Sequence, residues 1–572
     1  MPASIMSLIL FFFAFFGSCL AKTVTYNFDI SWVNAAPDGF SRPVIAMNKQ
    51  WPLPTIEADL GDTVIVKARN LLGNETTSIH FHGMNQLGTN PSDGPVGVSQ
   101  CSIPPGGEYT YQFTANPAGT AWYHSHDKGQ YPDGLRGQMI VHDPAWEKSL
   151  GVDEQIHLSV SDWYHEQMPV LLHKYLSPEN PTGALPIPDS MLVNDSSTPP
   201  DITFEPSKKY LLRIVNMGAL SCSSIQFQNH DMTVVGIDGV HVVPKTTSAI
   251  TICAGQRYDI VIQGQTSPKN SVGYLVKMAT DMFDSVPSGF KTDYTGKCLY
   301  KSGGIILPML GSVISNPSLS PSTTLDDFTL QPLDGQKLLG APDQQIKWYI
   351  NQTNYPGIGS RISLAQQPWV EPDVPSLYTA LTAGLSANNP AIYGLGAAAS
   401  VLAANSIVQI VLTNPEEHPH PMHMHGHEYQ VVARGTGVWD GNTNNFPAVP
   451  MKRDVAVVPA KGYFVLRFRA DNPGVWFFHC HIDWHLAAGM AATLVEAPAQ
   501  LQKSQAIPAA GQWLCWSNGK QASGNCAGAT TGNLASADTT ASCPTIFNTD
   551  TDGYGALVIK QGKERRDGRW SA

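Results

Sequence analysis

A chain of 572 residues exceeds what one hydrophobic core can serve, and length alone implies about three or four domains. A composition of 42% hydrophobic and 14% charged residues, with 50 Gly and 43 Pro, excludes a disordered chain and points to an all-β, turn-rich protein. The formal net charge of -11, with no Lys/Arg-rich patch, argues against nucleic acid as a partner.

At the N-terminus, residues 5–20 form an apolar run that ends in Cys19-Leu20-Ala21. This small-residue ending predicts a secretory signal over residues 1–21, and so a secreted protein. The basic segment expected ahead of such a run is missing, which keeps a transmembrane anchor open as the alternative. Sequons at Asn74, Asn194 and Asn351 fit the secretory route as glycosylation sites. No other stretch is long and apolar enough to span a bilayer, so no membrane anchor is expected, and the protein is read as a monomer.

Residues 22–145 alternate short apolar runs with turn residues, which predicts a β-sandwich or barrel. This segment holds His80-Phe81-His82-Gly83 and His124-Ser125-His126. Histidines at i and i+2 share one face of a strand. Residues 146–311 continue in the same style without paired histidines and are read as structural, or as shaping a cleft. Residues 312–322, rich in Pro and Ser, read as a linker. Residues 328–498 form a third segment, and residues 499–572, dominated by small polar residues, read as a largely irregular tail.

The third segment carries His418-Pro419-His420-Pro421-Met422-His423-Met424-His425-Gly426-His427 and, further on, His479-Cys480-His481 with His485 and Met490. On a strand, Cys480 faces one way and its two flanking histidines the other. One thiolate, further imidazole and a distant thioether make up a blue-copper ligand set, so two metal groups are expected back to back. The first and third segments also repeat each other. Asn116-Pro117 through His126 mirrors Asn472-Pro473 through His481, and Ile79 to Gly83 mirrors Met422 to Gly426. A duplicated domain can bring four His-X-His pairs together at an interface. One such pair is an ordinary strand feature, but four of them, one with an intervening cysteine, suit a cluster of three coppers. His420, Cys480 and His485 remain for the blue site, with Met490 as a weak axial ligand. Nine cysteines leave seven after Cys19 and Cys480 are set aside, so at least one of the rest lacks an internal partner or is lost in processing.

These motifs resemble those of the multicopper oxidases: laccases, ascorbate oxidases and fungal ferroxidases. The likeness runs from about residue 24 to 498. It implies three cupredoxin-like Greek-key domains, with four coppers (one type 1, one type 2, two type 3) and a trinuclear cluster between the first and third domains. By that resemblance His80 and His423 are type 2 ligands. His82, His124 and His481 hold one type 3 copper, and His126, His425 and His479 the other. His418 and His427 match no ligand position and are read as lying behind the ligands or at the surface. Asp93 and Asp483 resemble family acids that relay protons to dioxygen; the bland alternative for each is a turn or capping residue. The resemblance also implies that substrate gives electrons near His485 or His420, that Cys480 passes them on, and that dioxygen leaves as water. Cys101 resembles a cysteine that bonds the C-terminal region, such as Cys515, and Cys222 is expected to lack its usual bridge because its partner position falls near Pro132.

The identity of the reductant is less direct. Ser161-Asp162-Trp163-Tyr164-His165 and Asn180-Pro181-Thr182-Gly183-Ala184 resemble the ferroxidase branch. That branch carries a glutamate where Leu185 stands here, while Asp284 and Glu416 match two of its acids. The phenol-binding aspartate of basidiomycete laccases falls near Ser223. An axial Met490 stabilises Cu(II) and lowers the potential, which suits easily oxidised donors. The leading expectation is a secreted, laccase-like oxidase of phenolic or aromatic compounds, acting in fungal pigment or polyketide metabolism, including oxidative phenol coupling. The alternatives are a ferroxidase oxidising iron(II) for iron uptake, and a copper-binding or electron-transfer protein without oxidase activity.

Overall fold

Burial with a period of two explains the strands. In Thr63–Asn70, Val64, Val66 and Ala68 point inward while Lys67 and Arg69 face solvent, and Glu108–Thr114 buries Tyr109, Tyr111 and Phe113 in the same way. The computed structural model describes residues 21–309 and 324–545. Strands dominate it, in the order expected of an all-β chain. Two four-stranded sheets occupy the first part, with Thr63–Asn70 central in one and Gly119–His124 in the other. The middle part has two larger sheets built around Lys209–Asn216 and Val272–Met278, and the third part has two five-stranded sheets built around Ile407–Asn414 and Gly474–Cys480.

The strand Gly474–Cys480 is buried along its whole length because both of its faces are covered. Trp476, Phe478 and Cys480 enter a core shared by the middle and third parts. Val475 and Phe477 enter a core shared by the first and third parts. Burial of each such large apolar side chain contributes about 1.5–3 kcal/mol. His479 lies in phase with Val475 and Phe477, so the alternation that buries the strand also aims Cys480 and His479 at different neighbours. The duplication is visible in register. His80 pairs with His124 across one antiparallel ladder, and His423 pairs with His479 across the other.

Three expectations are refined, corrected or fall outside the described residues. The described tail is irregular over most of its length, as expected, but not throughout. It forms helices Pro498–Ser504, Ala509–Ser517 and Ala537–Thr540, because Leu501, Leu514 and Cys515 find apolar cover in the core shared by the first and third parts. The Cys101–Cys515 and Cys526–Cys543 bridges pin it. Cys222 does not lack a bridge; its partner is Cys253, on a neighbouring loop of the middle part. Cys298 is the buried free thiol besides Cys480. The signal (but for Ala21) and the 312–322 linker lie outside the described residues, among which no helix is long and apolar enough to cross a membrane.

Candidate metal centre

The four His-X-His pairs converge between the first and third parts. The His80 and His425 rings stack at 4.0 Å, and those of His82 and His423 at 3.8 Å. His126 lies 5.2 Å from His479, and His481 lies 4.9 Å from His82, between ring centroids. All eight are buried.

Their hydrogen bonds fix which nitrogen is free. Nδ1 of His80 donates to the Asp93 carbonyl (2.7 Å), that of His124 to Ser125 (2.9 Å), that of His423 to Asp454 (3.1 Å) and that of His479 to Cys480 (2.9 Å). His425 Nδ1 donates to Asp93 Oδ2 at 2.9 Å. A carbonyl only accepts, so each neutral ring carries its proton on Nδ1 and presents the Nε2 lone pair inward. Nε2 of His80, His82, His124, His126 and His423 has no hydrogen-bond partner among the described residues. His425 Nε2 and His479 Nε2 lie 3.1 Å apart. With both Nδ1 atoms already donating, these two lone pairs face each other, an arrangement that a shared cation stabilises and an empty gap does not. Burial first, and then the neighbouring rings, holds His82, His124, His126, His423, His425 and His481 well below the usual imidazole range. Burial brings His479 down to about 3. Neutral imidazole is the form that binds metal, so the donor set fits copper.

The expected ligand sets come together to different degrees. His126, His425 and His479 form one group with ligand atoms within 4.8 Å of one another, and His80 and His423 meet in another that includes His425. His82 and His124 gather with His80, while His481 Nε2 reaches His82 Nδ1 at 3.2 Å.

On the opposite face, Cys480 Sγ lies 3.5 Å from His485 Nδ1 and 3.8 Å from His420 Nδ1, and the two nitrogens are 3.1 Å apart. His485 sits on the short helix Asp483–Ala487. Its carbonyl accepts from Met490 N–H at 2.9 Å, and the Met490 carbonyl in turn accepts from Cys480 N–H at 3.1 Å, so the backbone ties Met490 to both residues. Burial pushes the Cys480 thiol up, so a buried thiolate here needs a cation. Glu416 Oε2 lies 3.0 Å from the other nitrogen of His420, Nε2.

Of the remaining predicted residues, Asp93 and Asp483 lie against the histidine cluster. Asp93 is fully buried, touches His80 and His425 together, and is pushed up by burial. Asp483 lines a small void with His124, His126, His479 and His481; burial, and then Asp162, raises it to about 7. His427 pairs with buried Glu496 at 2.7 Å, and His418 Nδ1 donates to the Asp281 carbonyl at 2.6 Å. Leu185 N–H donates to Asp284 Oδ2 at 3.2 Å, and Leu185 lines a cleft of about 480 Å³ with Tyr164, Tyr175 and Ile187. Asn74 accepts from Trp32 Nε1, while Asn194 and Asn351 are exposed. Sequence reasoning missed Asp454 and Arg257. Asp454 reaches His423 and His82, but Arg453-Asp454 reads as an ordinary charged pair, and no local pattern marks it.

Comparison with known proteins agrees with this geometry. Multicopper oxidase family models match residues 29–145, 154–292 and 369–500. The iron transport multicopper oxidase fetC of Epichloe festucae is 41% identical over 552 residues, covering 94% of this chain and 87% of that protein. An iron transport multicopper oxidase of Gibberella zeae is 42% identical over 495 residues, covering 85% and 78%. The crystal structure of Fet3p, a multicopper oxidase that functions in iron import, superposes with a TM-score of 0.83 at 37% identity, covering 90% of this chain and 98% of that one. The laccase of Botrytis aclada gives 0.73 at 28% identity, covering 87% and 92%. Two back-to-back ligand groups on a duplicated strand pair, and family matches along three segments of the chain, lead to one conclusion: this chain belongs to the multicopper oxidases, four-copper oxidoreductases that use dioxygen.

Proposed function

We propose that this oxidase takes its electrons from iron(II). The observation that carries the reading is the Glu416 carboxylate, 3.0 Å from His420 Nε2 and partly exposed. Iron(II) is a hard cation that prefers oxygen donors, and a nearby negative charge favours its oxidation. Glu416 thus offers an iron ligand in contact with the imidazole of the electron-accepting centre. Asp284 offers a further carboxylate, next to Leu185. The names of the relatives, iron transport multicopper oxidases, support this order of preference over the aromatic reading that the sequence put first.

We assign His420, Cys480 and His485, with Met490 axial, to the electron-accepting site, and the eight paired histidines to the oxygen-reducing cluster. Bound copper supplies one-electron acceptance at the first and reduction of dioxygen to water at the second. Cys480 ends the strand Gly474–Cys480, with His479 just before it and His481 just after it, so the two groups are one residue apart along the chain. His479 and His481 are thereby joined covalently to the thiolate ligand. Asp93, hydrogen-bonded to two cluster histidines, and Asp483, which faces the void beside four of them, hold protons where water must form.

Oxidation of aromatic donors stays the second reading, favoured by Leu185 and the tyrosine-walled cleft it lines. Oxygen uptake by the copper-loaded protein with iron(II), hydroquinone, ascorbate and a dihydroxynaphthalene separates the two. The highest kcat/KM for iron(II) supports our proposal, and a higher value for the organic donors reverses the order. No uptake with any donor at full copper occupancy removes both.

A further inference from the structure

Asp454 completes a ligand set that a copper oxidase should not want. Its carboxylate, His82 and His423 bring ligand atoms within 4.8 Å of one another, all buried. Oδ1 lies 3.7 Å from the free Nε2 of His82, and the Asp454 carbonyl holds His423 Nδ1 at 3.1 Å. Two imidazoles and a carboxylate are a strong site for a divalent transition metal. An anionic ligand there would stabilise the oxidised metal and fill a position that dioxygen or its products need.

Arg257 occupies that carboxylate. Its Nη1 donates to Asp454 Oδ1 at 2.6 Å and its Nη2 to Oδ2 at 2.7 Å, a bidentate fork that engages both oxygens. The guanidinium is held in turn. Nε donates to the Thr120 carbonyl at 3.1 Å, Nη1 to the Gly255 carbonyl at 3.0 Å, and the Arg257 backbone N–H to Asp238 Oδ1 at 2.7 Å. There is no slack around it. A Cβ on Gly83, the glycine that follows His82, would lie 2.7 Å from Nη2, and a Cβ on Gly255 would lie 2.6 Å from the His481 ring. The middle part of the chain, which supplies none of the assigned copper ligands, reaches the cluster through this loop. Gln256 anchors it from the other side, donating to the Val455 carbonyl at 3.0 Å.

We propose that Arg257 is a positioning residue that withholds Asp454 from the copper cluster. By engaging both carboxylate oxygens it makes Asp454 a backbone prop for His423 and prevents it from acting as a third ligand between His82 and His423. The inference rests on His82 and His423 being copper ligands, and is independent of which reductant the enzyme oxidises.

The test uses the copper-loaded full chain in four forms: wild type, R257M, D454N and R257M/D454N. Copper per chain and the electron paramagnetic resonance of the non-blue copper are measured alongside oxygen uptake. R257M should keep its blue absorption but show a changed non-blue signal, as a carboxylate oxygen enters the coordination sphere, with at least tenfold slower oxygen uptake. D454N should keep the wild-type signal, and R257M/D454N should recover it. R257K, whose donors sit on one nitrogen and cannot form the bidentate fork, should give a mixture of the two signals. A wild-type signal in R257M, or a changed signal that persists in R257M/D454N, overturns the proposal and leaves Arg257 a mere tie between domains. Loss of non-blue copper from R257M that the double variant does not restore also overturns it. Failure of the wild-type protein to bind four coppers would instead refute the ligand assignment itself.

Discussion

Glu416→Ala separates iron(II) from organic donors. Glu416 stands 3.0 Å from His420 Nε2 with its side chain 18% exposed, so it touches both solvent and a residue assigned to the electron-accepting site. Removal of a charge-assisted contact costs about 1.5–3 kcal/mol. If that contact is made to iron(II) on the way to electron transfer, kcat/KM for iron(II) should fall roughly 10- to 150-fold, at about 1.36 kcal/mol per tenfold. The same change removes a negative charge beside His420. That charge favours the oxidised centre, so its loss should raise the potential and leave hydroquinone oxidation unchanged or faster. Oxygen uptake over a range of both donors, together with a redox titration of the blue band, reads all three quantities. Glu416→Gln should behave like the alanine variant, because the charge and not the volume matters. A parallel fall for iron(II) and hydroquinone, or an iron(II) rate that does not move, would refute the reasoning.

Cys480→Ser should abolish the blue absorption and substrate oxidation while copper analysis still finds the cluster's ions; sustained turnover would contradict the assigned electron entry. Burial holds Asp483 near 7, so it carries a proton below that pH and loses it above. Oxygen reduction in wild type should therefore decline as pH rises through 7, and Asp483→Asn should lower the rate about 100-fold and flatten that limb. An unchanged pH profile in the variant would remove Asp483 from the proton path. Cys515→Ser opens the Cys101–Cys515 bridge, which closes the largest loop in the chain, and should cost about 2–5 kcal/mol of stability with little change in the blue spectrum. A melting temperature equal to that of wild type would show that helix Ala509–Ser517 holds the tail without it.

The gathering of the four histidine pairs, and of Cys480 with His420 and His485, was legible because each motif is local. The strand period places His80 with His82, and the first histidine of each other pair sits on a strand whose end the second follows, while the repeat of residues 116–126 in 472–481 supplied the partner strand. What surrounds them was not legible. Arg257 and Asp454 are 197 residues apart, and nothing local in either neighbourhood hints at the other. The tail is small and polar and stays irregular over most of its described length, yet a few residues such as Leu501 and Leu514 seat short helices on the body beside the Cys101–Cys515 bridge. Cys222 was misread because its partner was sought in the first domain and lies on a nearby turn of its own. The order of the two reductants rested in part on Leu185, whose identity argues against iron(II), and in part on Met490. Contact of Glu416 with His420 is a matter of distance that sequence does not carry.

Electron entry is the step on which the account stands, and anaerobic stopped-flow reduction of the blue band isolates it from dioxygen chemistry. The fully oxidised, copper-loaded protein is mixed with iron(II) or with hydroquinone at equal concentration, and bleaching is followed in time. Our account predicts at least tenfold faster bleaching by iron(II), with that advantage lost in Glu416→Ala. Faster bleaching by hydroquinone in wild type, or an iron(II) advantage that survives the loss of Glu416, would contradict it.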